Sequence, residues 1–350
     1  PITYYLLPIT HYPLPKIMLA SKFVPTHLTF PHERSKIEIS PPQKPSFFRP
    51  FVVLMYLGRF ILIPIWLGVT KKLSRAEYAY QVRRVLEQLG ILWIKVAQIL
   101  SLRGDMLSTE VCAELSKIKD ISNGIPFENV RQILETELKR PLESLFEHFE
   151  EAPFMATMVA QLHRAYLRQE QVWVAVKVQK PYVKQIVLQD KAVMRRVIWF
   201  LERFSIYSNK CLQNLYQQLD ELLSKELDFR YEASSLRQLQ KKLRKHGIYV
   251  PDTFSKYTSQ RVLVMEFIHA TLMSDFIRLK QNEPTRVAAW LEANHIEPRR
   301  VARRLFFSVY RQIFEDNLFH GDMHPGNVVL LRNSQIAIID CRSLVSLEFE

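Results

Sequence analysis

Glycine is the plainest shortage in this chain: 8 in 350 residues, and none between Gly124 and Gly247. A phosphate cradle of glycine backbone, whether a dinucleotide fingerprint or a Walker-type loop, is excluded from that whole stretch. Cysteine is scarcer still. Cys112, Cys211 and Cys341 stand far apart, which offers neither a metal knuckle nor a disulfide framework and suits a reducing compartment. No Asp or Glu precedes Glu33, whereas ten of the 19 prolines fall within residues 1–50. So acid-poor a leader is typical of organelle targeting, yet its few arginines and many prolines make a poor amphipathic helix; a transit segment and an irregular arm both fit. Nucleic-acid signatures are missing as well: there is no zinc-finger spacing, RNP-type motif or heptad-bearing basic region.

What is present is a chain long enough for two lobes, 48% hydrophobic and 24% charged, which reads as globular. Its formal net charge of +13 favours phosphate-bearing ligands or an anionic membrane surface. Residues 51–69, FVVLMYLGRFILIPIWLGV, approach the length of a bilayer span, but Arg59 and Pro64 interrupt the run. A helix lying on a membrane or docked on the core is preferred over one that crosses.

Ser74 and Glu77 form a capping box that predicts a helix reaching about Ser101. Within it Lys95 and Gln98 share one face of an apolar decapeptide; on the residues alone, a snorkelling lysine is the better reading. Further helices are expected over 108–119, 127–138, 142–149, 183–204 and 212–243. The last would put Asp228 and Glu232 on one face, and Glu226 four residues before Arg230. VWVAVKV, residues 172–178, predicts a strand with Lys177 on the face of Trp173 and Ala175. A lysine on so apolar a strand needs a counter-charge or a substrate anion. QRVLVMEF, VVLL and IAII are further strands, the last two joined by the turn-forming RNSQ. His163 reads as a packed core histidine and His324 as a loop-shaping one. The order of elements predicts an α+β, two-lobed fold.

Phosphoryl transfer from ATP needs a cation for the phosphates, a carboxylate and an amide for magnesium, and a carboxylate near the accepting group. His320-x-Asp322 with Asn327 five residues after the Asp matches a kinase catalytic loop, and Asp340 closes a strand where a second metal ligand belongs. Lys177 on its VAVK strand, followed by an acidic helix, completes the order.

On these motifs the chain resembles the UbiB/ABC1/AarF-domain family of atypical, kinase-like proteins linked to coenzyme Q biosynthesis, over about residues 75–350. ILWIKVAQILSLRGDMLSTEVCAELSKIKD is similar to that family's N-terminal extension with its Lys-x-Gly-Gln core. APFMATMVAQLHRAYL resembles its Ala-rich loop, which stands in for the glycine-rich loop, while ELDFRYEA and HGDMHPGN match its Glu-x-Asp and His-x-Asp-x-His-Pro-Gly-Asn motifs. The resemblance implies a bilobal protein-kinase-like fold with a helical extension and an incomplete C-lobe. It divides the chain into a leader (1–50), a membrane-associated or docking helix (51–73), the extension (74–150), an N-lobe (151–267) and a partial C-lobe (268–350). ATP is expected against Lys177, Glu232, Ala156, Met158 and Glu266, with Lys177 on the phosphates and paired with Glu232, and Mg2+ on Asn327 and Asp340. Asp322 takes the place of the catalytic base. Lys95 and Gln98 are expected to enter the cleft from the extension, with Lys95 near Glu226 and Asp228, and to occlude a peptide site. An ATPase or a small-molecule or lipid-directed phosphotransferase follows, at the mitochondrial inner membrane, with a quinone-like or lipid partner and a biosynthetic protein complex.

Three departures qualify that expectation. The Gly of the extension motif is Ala97, the Ala-rich loop reads MATM, and Asp-Phe-Gly is replaced by Asp340-Cys341-Arg342. Cys341 lacks the packing of Phe; Arg342 adds a bulky cation where Gly has its φ freedom. Only ten residues follow Asp340, so an activation segment is not expected in this chain, and a nucleotide binder with slow or no turnover results. Two alternatives stand beside it: a small-molecule kinase of the aminoglycoside or choline type, which would lack the Lys-x-x-Gln extension, and a silent pseudokinase scaffold or lipid-binding chaperone.

Overall fold

The computed structural model describes residues 37–70, 74–120, 122–203, 209–342 and 344–347; most of the expected leader, 1–36, lies outside them. The apolar run becomes helix α1 (Arg49–Thr70). Among the described residues no helix is long and apolar enough to cross a membrane. The start of α1 is docked: Val53 is fully buried, and Arg49 donates from Nε and Nη2 to the two carboxylate oxygens of Asp190, each at 2.7 Å.

Helix α2 (Arg75–Leu89) opens on the expected capping box of Ser74 and Glu77. The single helix expected to run on to Ser101 is broken at Gly90, whose φ of +87° is a conformation that glycine reaches without strain. Helix α3 (Ile91–Ser101) starts afresh there, followed by α4 (Thr109–Leu115), shorter than expected. Leu86, Leu92, Val111 and Leu115 of these helices pack with Val193 and Leu219 from helices farther along the chain into one cluster.

Helix α5 (Phe127–Leu138) follows expectation, but 142–149 does not. Only Leu142–Leu145 is helical (α6); Phe146–Phe149 is strand β1, paired antiparallel with β3 (Ala160–Leu167). Strand pairing at a sheet edge overrides a local preference that is weak over so few residues. With β2 (Met155–Ala156), β4 (Val172–Gln179) and β5 (Val262–Glu266), these form a five-stranded antiparallel sheet in the order β1-β3-β4-β5, with β2 also on β3. The sheet is covered on both faces. Val174, Val176 and Val178 of β4 pack with Val130 and Leu134 of α5, while Ala175 joins the opposite core. The period of two therefore sends Lys177 to that opposite side.

Past α7 (Val183–Arg203), the long helix expected over 212–243 is two helices. α8 ends at Glu226 (Asn209–Glu226), and α9 (Phe229–Leu243) begins after Asp228, which caps it by accepting from the Arg230 amide at 3.1 Å. Asp228 and Glu232 thus do not share a helical face. Phe229, Ala233, Leu236 and Leu239 of α9 line the core beneath the sheet, together with residues of the second lobe such as Trp290, Val328 and Ile338.

That second lobe comprises β6 (Thr271–Leu272), α10 (Met273–Asn282), α11 (Pro284–Ala293), α12 (Pro298–Phe314), β7 (Phe319–His320), β8 (Val328–Leu330), β9 (Ile336–Ile338) and β10 (Leu344–Val345). The expected VVLL–IAII hairpin is the β8–β9 pair, turned through Asn333 and Ser334, both at φ +57°. β7 pairs with β10, which brings the His-x-Asp loop alongside the segment that follows Asp340.

Candidate functional site

Lys177 projects from β4 onto α9, where its Nζ reaches both oxygens of Glu232 at 2.8 and 2.7 Å and lies 5.1 Å from the Phe229 ring centroid. Glu232 is almost wholly buried. Burial pushes its carboxyl up, against the pull of Lys177. Such a pair is costly to break: removing one partner of a buried ion pair costs about 3–5 kcal/mol.

On the other side of Lys177, at 4.0 Å, stands the carboxylate of Asp340. Burial alone would raise this acid, but Arg342, Lys177 and His320 outweigh it and hold it down at about 2. Arg342 donates from Nε at 3.2 and 3.1 Å to the two Asp340 oxygens. Its Nη1 donates at 2.9 Å to Oε1 of Glu226, at the end of α8. The same Glu226 oxygen accepts from Lys95 of α3 at 3.0 Å. Lys95 has a second carboxylate, Asp120 at 3.4 Å, whose other oxygen accepts from the Met158 amide. Burial disfavours the charged lysine, yet Glu226 and Asp120 more than offset it and Lys95 is raised above the ordinary lysine range.

The catalytic-type loop joins this network through His320. Its Nδ1 accepts from the Asp322 amide, so Nε2 carries the proton and donates to the Asp340 carbonyl. The Asp322 carbonyl accepts from Asn327 Nδ2 at 3.0 Å, while the Asp322 carboxylate is mostly exposed. A continuous chain of contacts thus runs from Lys95 through Glu226, Arg342, Asp340 and His320 to Asp322 and Asn327.

Other candidates sit differently. Asp228 is turned to Arg230, with its Oδ2 2.6 Å from Arg230 Nη2, and Glu226 pairs with Lys95 and Arg342 where an i,i+4 partnership with Arg230 was one reading. Ala156 is buried in β2, but Met158 packs into the core of the extension, its methyl toward Gly90. Gln98 lies half-buried one turn beyond Lys95. Glu266 ends β5 and accepts from the Tyr249 hydroxyl at 2.5 Å; burial pushes its carboxyl up to about 7. His163 is a core histidine: fully buried, hydrogen-bonded to the Glu150 carbonyl and to Gln161, and pushed down by burial to about 4. His324 shapes its loop, Nδ1 accepting from the Gly326 amide at 3.0 Å. Cys341 is fully buried among apolar side chains, where burial drives its thiol up.

Sequence reasoning missed Asp120 outright. Its only signal was an acid in an otherwise basic run, KIKD, and its role needs the extension folded against the sheet. Arg342 stands out in the sequence as a bulky cation in place of Gly, but its partner Glu226 lies 116 residues away and has no local signal.

Magnesium does not suit the arrangement as it stands. It requires free oxygen ligands in a near-octahedral shell, and both Asp340 oxygens already face a guanidinium. Among the described residues no group of three or more His, Cys, Asp or Glu is placed to hold a metal ion.

A lysine–glutamate pair beneath an antiparallel sheet, facing a His-x-Asp loop and an acid at the end of a strand, is the arrangement of a protein-kinase-like fold. A solved structure described as "The complex structure of Rv3197-erythromycin from Mycobacterium tuberculosis" shares that fold with a TM-score of 0.51 and 24% identity, over 75% of this chain and 63% of that one. The model of the ABC1 atypical kinase-like domain matches residues 117–349, and the chain belongs to that family. It is 33% identical over 271 residues to the "Probable protein kinase UbiB" of Marinobacter nauticus, covering 77% of this chain and 47% of that protein. It is 32% identical over 253 residues to the protein of the same name from Tolumonas auensis, covering 71% and 44%. The chain spans about half the length of the curated relatives it matches.

Proposed function

We propose that this protein binds ATP in the cleft between its sheet and its His-x-Asp loop and serves quinone biosynthesis at a mitochondrial membrane. The observation that carries the reading is the Lys177–Glu232 pair with Asp340 at 4.0 Å, which leaves a buried cation poised beside a carboxylate at the cleft. Lys177 would meet the phosphates, the strand end at Glu266 and the loop around Ala156 would frame the nucleotide, and Asp322 would face the acceptor. Asn327 and Asp340 are the residues the resemblance offers to magnesium, a role Asp340 can take only once Arg342 has left it.

Lys95 with Glu226 and Asp120 closes the side by which a peptide would enter, which favours a small or lipid-like acceptor over a protein. The basic surface suits anionic lipid. Arg342 on Asp340 favours slow or silent turnover, hence a nucleotide-responsive partner within a biosynthetic assembly as the second reading. Titrating ATP against the unfolding midpoint of the wild-type chain, in EDTA and in Mg2+, tests nucleotide binding. A midpoint rising with ATP supports it; no rise in either medium overturns it. A malachite-green assay with a lipid extract then separates a turning-over site from a silent one.

A further inference from the structure

We propose that Arg342 is a built-in cation that takes the place of the divalent metal, so that the cleft binds nucleotide without magnesium. The inference deepens the ATP reading and rests on it for the ligand, but not for the assignment of Arg342 itself.

Three observations carry it. First, the guanidinium bridges its chain neighbour Asp340 at 3.1–3.2 Å to Glu226, 116 residues from Arg342, at 2.9 Å. Both are shielded, with side-chain exposures of 5% and 21%, and Arg342 itself is only 25% exposed. This is a built-in contact, not a surface ion pair. Second, the guanidinium offsets part of a local excess of carboxylates. Lys95, Lys177 and Arg342 face Asp120, Glu226, Glu232 and Asp340. Without the guanidinium, two cations would face four carboxylates, a deficit of two charges that one divalent ion would fill; with it, half of that deficit is met from within. Third, a planar guanidinium is held by directional hydrogen bonds and keeps its charge at every working pH. A metal approaching Asp340 would meet a fixed like charge.

Lys177 and Arg342 then both address the Asp340 carboxylate, at 4.0 Å and 3.1–3.2 Å, two cations gathered at one point of the cleft. The guanidinium thus supplies at Asp340 the positive charge that a metal would otherwise bring to the phosphates. Arg342 also touches Glu226, the partner of Lys95, so a phosphate that draws Arg342 away would loosen the hold of the extension on the cleft.

The test uses two independent readouts. ATP affinity is measured by calorimetry on the wild type, on Arg342→Gly and on Arg342→Lys, in EDTA and in Mg2+, with circular dichroism to check folding. Wild type should bind comparably in both media. Loss of a charged hydrogen-bonding group weakens binding about tenfold, so Arg342→Gly should lose at least that much in EDTA and recover in Mg2+, while Arg342→Lys retains part of the metal-free affinity. Separately, Mn2+ titrated without nucleotide and followed by electron paramagnetic resonance should bind Arg342→Gly at a concentration where wild type binds none. Wild-type ATP binding abolished by EDTA, or equal Mn2+ binding by wild type and Arg342→Gly, overturns the proposal. Absence of ATP binding in every medium defeats the nucleotide reading alone, since the Mn2+ comparison still decides Arg342.

Discussion

Glu266 offers the most direct measurement of how the cleft handles charge. The residue ends β5 with only 4% of its surface exposed. One carboxylate oxygen accepts from the Tyr249 hydroxyl at 2.5 Å and the Asp252 amide at 3.3 Å. The other oxygen is buried with no hydrogen-bond partner. Burial therefore dominates, and the acid rises from its ordinary 4.5 to about 7. The folded state keeps this proton to higher pH than the unfolded chain does. Between pH 4.5 and about 7 the folded protein binds more protons, so stability is fully present below that window and falls as pH rises through it. At about 1.4 kcal/mol per tenfold change in proton affinity, the loss reaches about 3 kcal/mol above pH 7. Glu266→Gln keeps an acceptor for the Tyr249 hydroxyl and carries no charge. Urea unfolding of both proteins from pH 4 to 8 should show Glu266→Gln gaining on the wild type as pH rises, by about 3 kcal/mol at the upper end. A difference that stays flat across the window would refute the claim that a buried, half-satisfied carboxyl sits there.

Two further outcomes follow from the ion pairs. Lys177→Met should destabilise the fold by about 3–5 kcal/mol, because Glu232 is left buried and unpaired, whereas Lys177→Met with Glu232→Leu should recover most of that loss in the same denaturant assay. Arg49→Ala strips both hydrogen bonds from the fully buried Asp190. It should cost several kcal/mol and speed amide exchange at the start of α1, while Arg49→Ala with Asp190→Asn should restore part of the stability.

Much of the fold was legible from local pattern. β4 alternates valine with alanine and lysine, the capping box at Ser74 fixes where α2 starts, and the RNSQ turn fixes the β8–β9 hairpin, because each depends on residues a few positions apart. The errors fall where distant chain intervenes. Phe146–Phe149 became a strand because β3 offered an edge, and two long helices broke at Gly90 and Asp228, where positive φ and an N-cap outcompete helical continuity.

The sequence by itself determined the kinase-like set of side chains, Lys177, Glu232, Asp322, Asn327 and Asp340, since motif spacing is a property of the chain alone. Only the tertiary structure decided which further charges meet them. Asp120 closes on Lys95, and Arg342 closes on Glu226, through contacts between residues 25 and 116 positions apart. Coulombic attraction acts through space and carries no periodicity along the chain, so the order of the letters does not announce that Asp120 would answer Lys95 or that Arg342 would answer Glu226.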